Sequence, residues 1–145
     1  MRGSGRALAF GIVLVWAGLV GAFNDAGGGP KPGVWVIADA VDKNGVAWAG
    51  KMVLKQTGKL TYRGHVDWRT TDGANVGREM VEAIYAPATK TLTIAGKSVK
   101  VKKGKVEATT YTAKVSEDGA KLTRGRWAPA GGIASGRWKA TWKRD

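Results

Sequence analysis

The sequence predicts an all-β domain, an antiparallel up-and-down meander of eight strands closed into a barrel. Apolar and polar residues alternate with a period of two along most of the chain after residue 33, and no stretch carries a sustained helical period. Turn signals interrupt this alternation roughly every 10–15 residues, which is typical of a barrel or sandwich. Closing the sheet removes its exposed edges, so we expect a barrel, with a two-sheet sandwich as the alternative.

Each predicted strand ends at a turn signal. Glycine, proline, asparagine and aspartate cluster at these points because they adopt the backbone angles that turns require. Among them Asn44-Gly45 is a strong two-residue hairpin signal. The strands and the turns that end them are, in order, 34–41 before DKNG, 46–56 before Thr57-Gly58, 59–69 before TTDG, 75–85 before APATK, 91–101 before Lys103-Gly104, 106–115 before SEDG, 121–127 before APAGGIAS, and 136–143.

The third predicted strand alternates most clearly, and its polar face holds the only histidine of the chain, His65. If Thr70 pairs with Asn75 across the following turn, Asp67 faces Arg78 and Arg63 faces Glu82. Opposite charges placed across neighbouring strands stabilise a sheet. We therefore interpret this row as a solvated face with cross-strand ion pairs. A metal site is not expected, because zinc needs three or four ligands and the chain has one histidine and no cysteine.

Two carboxylates are predicted on apolar strand faces. Pairing Val41 with Val46 places Asp39 opposite Trp48, and the register of the third and fourth strands places Glu79 opposite Val66. A buried carboxylate without a partner is costly. Each acid therefore either lies near a barrel end in water, pairs with a basic residue, or serves a cavity.

The first 22 residues resemble a secretory signal peptide in layout. Arg2 and Arg6 precede an apolar run from Ala7 to Ala22 that is shorter than the roughly 20 residues of a membrane-spanning helix, and small residues precede a cleavage point after Ala22. We expect residues 1–22 to be removed on export to the periplasm or outside the cell, which leaves no stable membrane span; an uncleaved anchor is the alternative. Residues 23–33 are predicted to be a flexible leader, and residues 34–145 a single domain.

The chain is strongly basic, with a formal net charge of +13. A basic surface attracts polyanions, and for an exported chain these are envelope phosphate or anionic polysaccharide rather than nucleic acid. The stretch GKSVKVKKGK is the predicted site of such contacts. Its alternative role is a charged hairpin tip that discourages edge pairing. The candidate residues are Lys97, Lys100, Lys102, Lys103 and Lys105.

Aromatic side chains recur on the apolar faces of the predicted strands. They can line a cavity for a small apolar or aromatic ligand, or they can fill a solid core. Eight-stranded barrels are often filled, which favours the core. The candidate cavity residues, with the two acids included, are Asp39, Trp48, Tyr62, Trp68, Glu79, Tyr85, Tyr111, Trp138 and Trp142.

The sequence indicates a binding or structural protein rather than an enzyme. Thiol catalysis is excluded by the absence of cysteine, and Ser98, Ser116 and Ser135 lie in no nucleophile motif. A hydrolase that uses two carboxylates is the remaining enzymatic alternative, because such a pair needs no local motif. No cofactor is expected, and the oligomeric state is not predicted.

Gly33-Val34-Trp35 at the start of the first predicted strand resembles the Gly-x-Trp that opens the barrels of the calycin group, the lipocalins and avidins. The resemblance implies an eight-stranded barrel in which Trp35 is a structural residue at the closed end. It also implies that a basic residue of the last strand packs on Trp35. Its candidates are Arg137, Lys139, Lys143 and Arg144.

Overall fold

The computed structural model of the protein describes residues 28–127 and 135–144. These residues form eight antiparallel strands, each hydrogen-bonded to the next in sequence, and the eighth pairs with the first to close a barrel. The predicted all-β barrel is therefore confirmed. The strands are β1 (Gly33–Val41), β2 (Ala47–Gln56), β3 (Thr61–Thr70), β4 (Val76–Ala86), β5 (Thr91–Lys103), β6 (Thr110–Val115), β7 (Lys121–Trp127) and β8 (Ser135–Lys143).

The β3–β4 register is the predicted one along its full length. Asp67 lies opposite Arg78, and Arg78 donates to both carboxylate oxygens of Asp67 at 2.7 and 3.0 Å. Nε2 of His65 lies 3.8 Å from Oδ2 of Asp67. Arg63 and Glu82 also pair, at 3.9 Å. The polar row is thus a face of cross-strand ion pairs. Within it the Asp67 carboxylate is already bound by the guanidinium group of Arg78.

A β-bulge in β1 changes the predicted register with β2. Trp35 pairs with Met52, but the register shifts between Ile37 and Ala40, so Ala40 rather than Asp39 lies opposite Trp48. Asp39 takes a left-handed backbone conformation, with φ of 51°. The extra residue of a bulge reverses the inward and outward alternation beyond it. The prediction that Asp39 lies on the apolar face is therefore wrong.

The sixth strand begins later than predicted, at Thr110 instead of residue 106. The preceding segment, residues 104–109, is not part of the β5–β6 ladder. Its Thr109 carbonyl accepts a 2.8 Å hydrogen bond from the Gly96 amide. Val106 turns inward and is buried, and β5 continues to Lys103 paired with β4 alone. This segment therefore lies across one end of the barrel.

The other end is closed by residues 28–32, so the packed domain extends back beyond residue 34. The Lys31 amide donates to the Gly119 carbonyl at 2.9 Å, and Trp35 Nε1 donates to the Lys31 carbonyl at 2.9 Å. Gly29 lies so close to the barrel that an added Cβ would be 3.0 Å from the Tyr62 hydroxyl. The remaining leader and residues 1–22 lie outside the described residues, as does most of the loop APAGGIAS.

The barrel interior is packed. Its core is formed by alternate residues of all eight strands, and between Trp68, Tyr111 and Trp138 only a void of about 10 Å³ remains. Trp35 is fully buried, in keeping with its predicted structural role. The described part of the chain contains no helix long and apolar enough to cross a membrane.

Candidate functional site

A cavity of about 430 Å³ lies at the barrel end opposite residues 28–32. The loops that follow β1, β3 and β5 surround it, because antiparallel strands bring these three connections to the same end. Strand ends provide the aromatic part of its wall. The lining residues are Asp42, Lys43, Asn44, Val46, Trp48, Trp68, Asn75, Lys105, Val106, Glu107, Ala108, Thr109, Tyr111, Trp127 and Ser135.

Four aromatic rings line this cavity and contact one another. The Trp68 ring lies 6.1 Å from the Trp48 ring, 5.8 Å from the Tyr111 ring and 5.7 Å from the Trp127 ring, measured between centroids. Their planes are tilted or perpendicular, which are favourable arrangements for aromatic pairs. The rings therefore form a continuous aromatic cluster above the packed core, in which Trp48 and Trp127 are partly buried and Trp68 and Tyr111 are buried. We call Trp48, Trp68, Tyr111 and Trp127 the aromatic floor.

Trp127 is the floor residue that sequence reasoning missed. If inward and outward residues alternated regularly from the buried Leu122, Trp127 would face outward. Register shifts between Leu122 and Gly125, and again before Trp127, turn it inward instead. Arg124, within the first shift, has a φ of 53°. A left-handed non-glycine residue of this kind marks a bulge in the structure but carries no clear sequence signal. Among the described residues, Trp127 Nε1 is buried and has no hydrogen-bond partner.

Asp42 fixes the edge of the Trp48 ring. Its Oδ2 accepts a 3.0 Å hydrogen bond from Trp48 Nε1, while its Oδ1 accepts from the amides of Asn44 and Val46 at 2.9 and 3.0 Å. Partial burial acts to raise the pKa of this carboxyl, but the three hydrogen bonds together with nearby Lys43 outweigh it, so the pKa lies below its usual range. Asp42 is therefore ionised at neutral pH.

Glu79 lies directly behind the aromatic floor and is fully buried. Its Oε1 accepts hydrogen bonds from Trp68 Nε1 at 2.9 Å and from the Tyr111 hydroxyl, and its Oε2 accepts from the Thr109 amide at 2.9 Å. Burial raises the pKa of Glu79, and these bonds offset the rise only in part. Burial and the adjacent carboxylate likewise raise the pKa of Tyr111. Glu79 is thus neither in water nor paired with a basic residue of the described part of the chain, and its three partners there are neutral hydrogen-bond donors beside the cavity.

Room for Glu79 depends on Gly96 in β5. A Cβ at this position would lie 1.9 Å from Oε2 of Glu79 and 2.8 Å from the Thr109 carbonyl oxygen. Glycine is therefore required where the carboxylate passes between β4 and the 104–109 segment. Through Thr109, Glu79 connects two floor rings to the loop that borders the cavity.

Charged groups at the cavity rim are paired. Lys105 Nζ lies 3.2 Å from Oε2 of Glu107, and the Lys105 amide donates to Asn75 Oδ1 at 2.8 Å. Lys43 lies beside Asp42 in the loop after β1 and lowers its pKa. The rim therefore combines two lysines with two acids.

The other cavity candidates from the sequence do not line this cavity. Tyr62 and Tyr85 pack near Gly29 at the closed end, where Trp142 Nε1 also donates to the Pro32 carbonyl at 3.0 Å. Trp138 is buried below the floor beside the small void. Strand alternation selects inward-facing rings, but it does not tell at which height in the barrel each ring lies.

Asp39 is also outside the cavity. Its Oδ2 lies 3.0 Å from Lys139 Nζ, and both side chains are largely exposed. Lys139 is one of the basic residues that the calycin resemblance would pack on Trp35, and here it is paired with Asp39. At the closed end a different cation stacks on a ring, Lys31 Nζ at 5.2 Å from the Trp142 centroid.

The five candidate polyanion-binding lysines are exposed on and beside the outer part of β5. Lys97 lies 3.9 Å from a Glu82 oxygen, and Lys105 is paired with Glu107. Lys100, Lys102 and Lys103 complete the group. Two of the five charges are thus partly offset by neighbouring acids.

The described residues contain no group of three or more histidine, aspartate or glutamate side chains arranged to hold a metal ion. The two acids closest to the floor, Asp42 and Glu79, are each engaged by three hydrogen-bond donors. Both therefore act as acceptors that position aromatic rings and loops.

Comparison with known proteins shows the fold alone. No protein-family model and no curated protein matches the chain. A solved structure described as "Structure of EF1p2_mFAP2b bound to DFHBI" superimposes with a TM-score of 0.55 at 14% sequence identity, over 77% of this chain and 93% of that one. The chain is thus similar in fold to a small barrel, and at this identity the likeness extends no further.

Proposed function

We propose that the protein is a non-enzymatic ligand-binding barrel that holds a small apolar or aromatic molecule on the aromatic floor. The observation that carries this proposal is the cavity of about 430 Å³ lined by four contacting rings. Ligand sites are typically concave, about 300–1,000 Å³ in volume, and mostly apolar with a few placed polar groups. This cavity has that size, and the four contacting rings form its apolar part.

The rest of the barrel supports this assignment because its core is filled. A void of about 10 Å³ below the floor offers no room for a ligand, so binding is expected in the cavity at the end of the barrel. The structurally similar barrel EF1p2_mFAP2b is bound to DFHBI, so a barrel of related architecture accommodates a ligand. Together with Gly33-Val34-Trp35, this supports a calycin-type barrel for the present chain.

We also propose that the protein acts outside the cytoplasm. The support is the basic leader and short apolar run of residues 1–22. Export predicts that the mature chain starts at Phe23. N-terminal sequencing of the protein recovered from its native compartment tests this, and an intact Met1 would contradict it.

Binding is tested with N-phenyl-1-naphthylamine, an uncharged aromatic probe whose fluorescence rises in apolar sites. Titration of the protein is expected to give a saturable, one-site increase. Trp48→Ala removes one floor ring and should weaken binding about tenfold or more, as the loss of an aromatic anchor commonly does. Tryptophan fluorescence and circular dichroism confirm that the variant is folded.

Trp142→Ala is the matched control. Trp142 is also a partly buried tryptophan with one hydrogen bond to its indole nitrogen, but it lies at the closed end. Its replacement should leave probe affinity unchanged. Equal losses in the two variants, or the absence of saturable binding to the wild type, would overturn the proposed function.

A further inference from the structure

Three of the four floor rings are hydrogen-bonded through their polar edges to carboxylates. Trp48 donates to Asp42, and Trp68 and Tyr111 both donate to Glu79. A carboxylate that accepts from an indole N–H or a phenol O–H increases the electron density of that ring. The faces of aromatic rings are negative and attract cations, so these contacts make the floor a better surface for a positive charge.

The carboxylates also act directly. Glu79 is bound by neutral donors only, from Trp68, Tyr111 and Thr109, and lies in the low-dielectric interior directly behind the floor, where burial raises its pKa. All three contacts place hydrogens on its two oxygens, so Glu79 acts on the floor rings as an acceptor. Electrostatic interactions are stronger in such surroundings than in water.

The rim lysines are offset by acids. Lys105 is paired with Glu107, and Lys43 lies beside the ionised Asp42. The charged side chains that line the cavity are therefore Asp42 and Glu107 against Lys43 and Lys105. The lining is neutral overall in a chain whose formal net charge is +13.

We infer that the ligand of this cavity is an organic cation, with an amine or methylated ammonium group on an aromatic or alkyl frame, held against Trp48, Trp68 and Tyr111 and balanced by Asp42. This inference rests on the proposed function and names the chemical class of its ligand. An anion at the same place would face the ionised Asp42 and the negative faces of the rings, and a neutral ligand would gain only from apolar contact.

The test is isothermal titration calorimetry with two molecules of the same shape. In (4-hydroxyphenyl)trimethylammonium a cationic nitrogen replaces the quaternary carbon of 4-tert-butylphenol. The cation should bind about tenfold more tightly, since cation–π contacts add up to about 2 kcal/mol when desolvated and tenfold corresponds to about 1.4 kcal/mol. The anion 4-hydroxybenzenesulfonate should bind more weakly than both.

Two aspartate-to-asparagine variants, each of which removes one negative charge, distinguish an effect of a carboxylate in the cavity from an effect of the net charge. Asp42→Asn should reduce the advantage of the cation over 4-tert-butylphenol several-fold, measured as the ratio of the two affinities for the same variant. Asp72→Asn is the control. Asp72 lies in a loop at the same barrel end and accepts similar bonds, from the Thr70 hydroxyl and the Ala74 amide, but does not line the cavity. It should leave the preference for the cation intact.

The inference is overturned if the neutral molecule binds as tightly as the cation, if the anion binds best, or if the two aspartate variants lose equal affinity for the cation. In each of these cases saturable binding of N-phenyl-1-naphthylamine would leave the proposed function standing. If none of the four molecules binds, the proposed function and the inference fail together.

Discussion

Trp68 Nε1 donates a 2.9 Å hydrogen bond to Oε1 of Glu79, and both side chains are buried within the barrel. The two residues lie on adjacent strands, with Glu79 opposite Val66 in the β3–β4 register. Their contact joins the floor of the cavity to a carboxylate that also holds the loop after β5. It therefore links stability with the shape of the candidate site.

Replacing Glu79 should be severely destabilising. Glu79→Leu would leave the Trp68, Tyr111 and Thr109 donors without their acceptor in the barrel interior. An orphaned buried polar group costs about 1–3 kcal/mol, so we expect a loss of roughly 3 kcal/mol or more. Urea denaturation measures it. The same change at Glu82, which is exposed on the same strand, should cost less than about 1 kcal/mol. Equal losses would contradict the role of Glu79.

The two faces of β3 should respond differently to truncation. Trp68 is 4% exposed, and Trp68→Ala should cost roughly 3–5 kcal/mol through the cavity that it creates. His65 lies on the outer face, and His65→Ala should change stability by about 0.5 kcal/mol or less. Chemical denaturation of both variants beside the wild type decides this. A large loss at His65 would show that the outer row is more than a face of ion pairs.

Gly96→Ala should destabilise the protein by steric conflict. Its Cβ would meet Oε2 of Glu79 and the Thr109 carbonyl oxygen, and both groups are held by hydrogen bonds. Overpacking of this kind costs about 1–3 kcal/mol. Gly58→Ala is the control, because its Cβ would come close to the side chain of Thr61 alone, whose hydroxyl makes one exposed hydrogen bond with Thr57 that water can replace. Thermal unfolding should show a lower midpoint for Gly96→Ala alone.

The Asp67–Arg78 pair should contribute stability that disappears in acid. The hydrogen bond from Arg78 lowers the pKa of Asp67 in the folded state, below the ordinary value of 3.8, and this outweighs partial burial. A lowered folded-state pKa stabilises the protein above the unfolded-state value and loses this effect as pH falls through the folded-state value. The difference in urea midpoint between wild type and Asp67→Asn should therefore be present at neutral pH and vanish in acid. A difference that grows on acidification would contradict this sign.

The sequence by itself determined the strand count, most strand bounds and the complete β3–β4 register. These features are local, because alternation fixes which residues face inward and a short turn fixes which residues pair. It also predicted that Glu79 lies on an apolar face. It correctly treated the row around His65 and Asp67 as cross-strand ion pairs.

Only the tertiary structure decided where each inward-facing ring lies along the barrel axis, and therefore which rings form a site. Trp48 and Tyr62 have the same alternation signal, but Trp48 lies at the cavity end and Tyr62 at the end closed by residues 28–32. Bulges at Asp39 and Arg124 reversed the alternation at two further points, removing Asp39 from the interior and bringing Trp127 into the floor. The partners of Glu79, 11 to 32 residues away in sequence, meet it only because the sheet closes and the 104–109 segment folds across its end. Contacts of this range depend on closure of the whole barrel, which a period-two pattern does not encode.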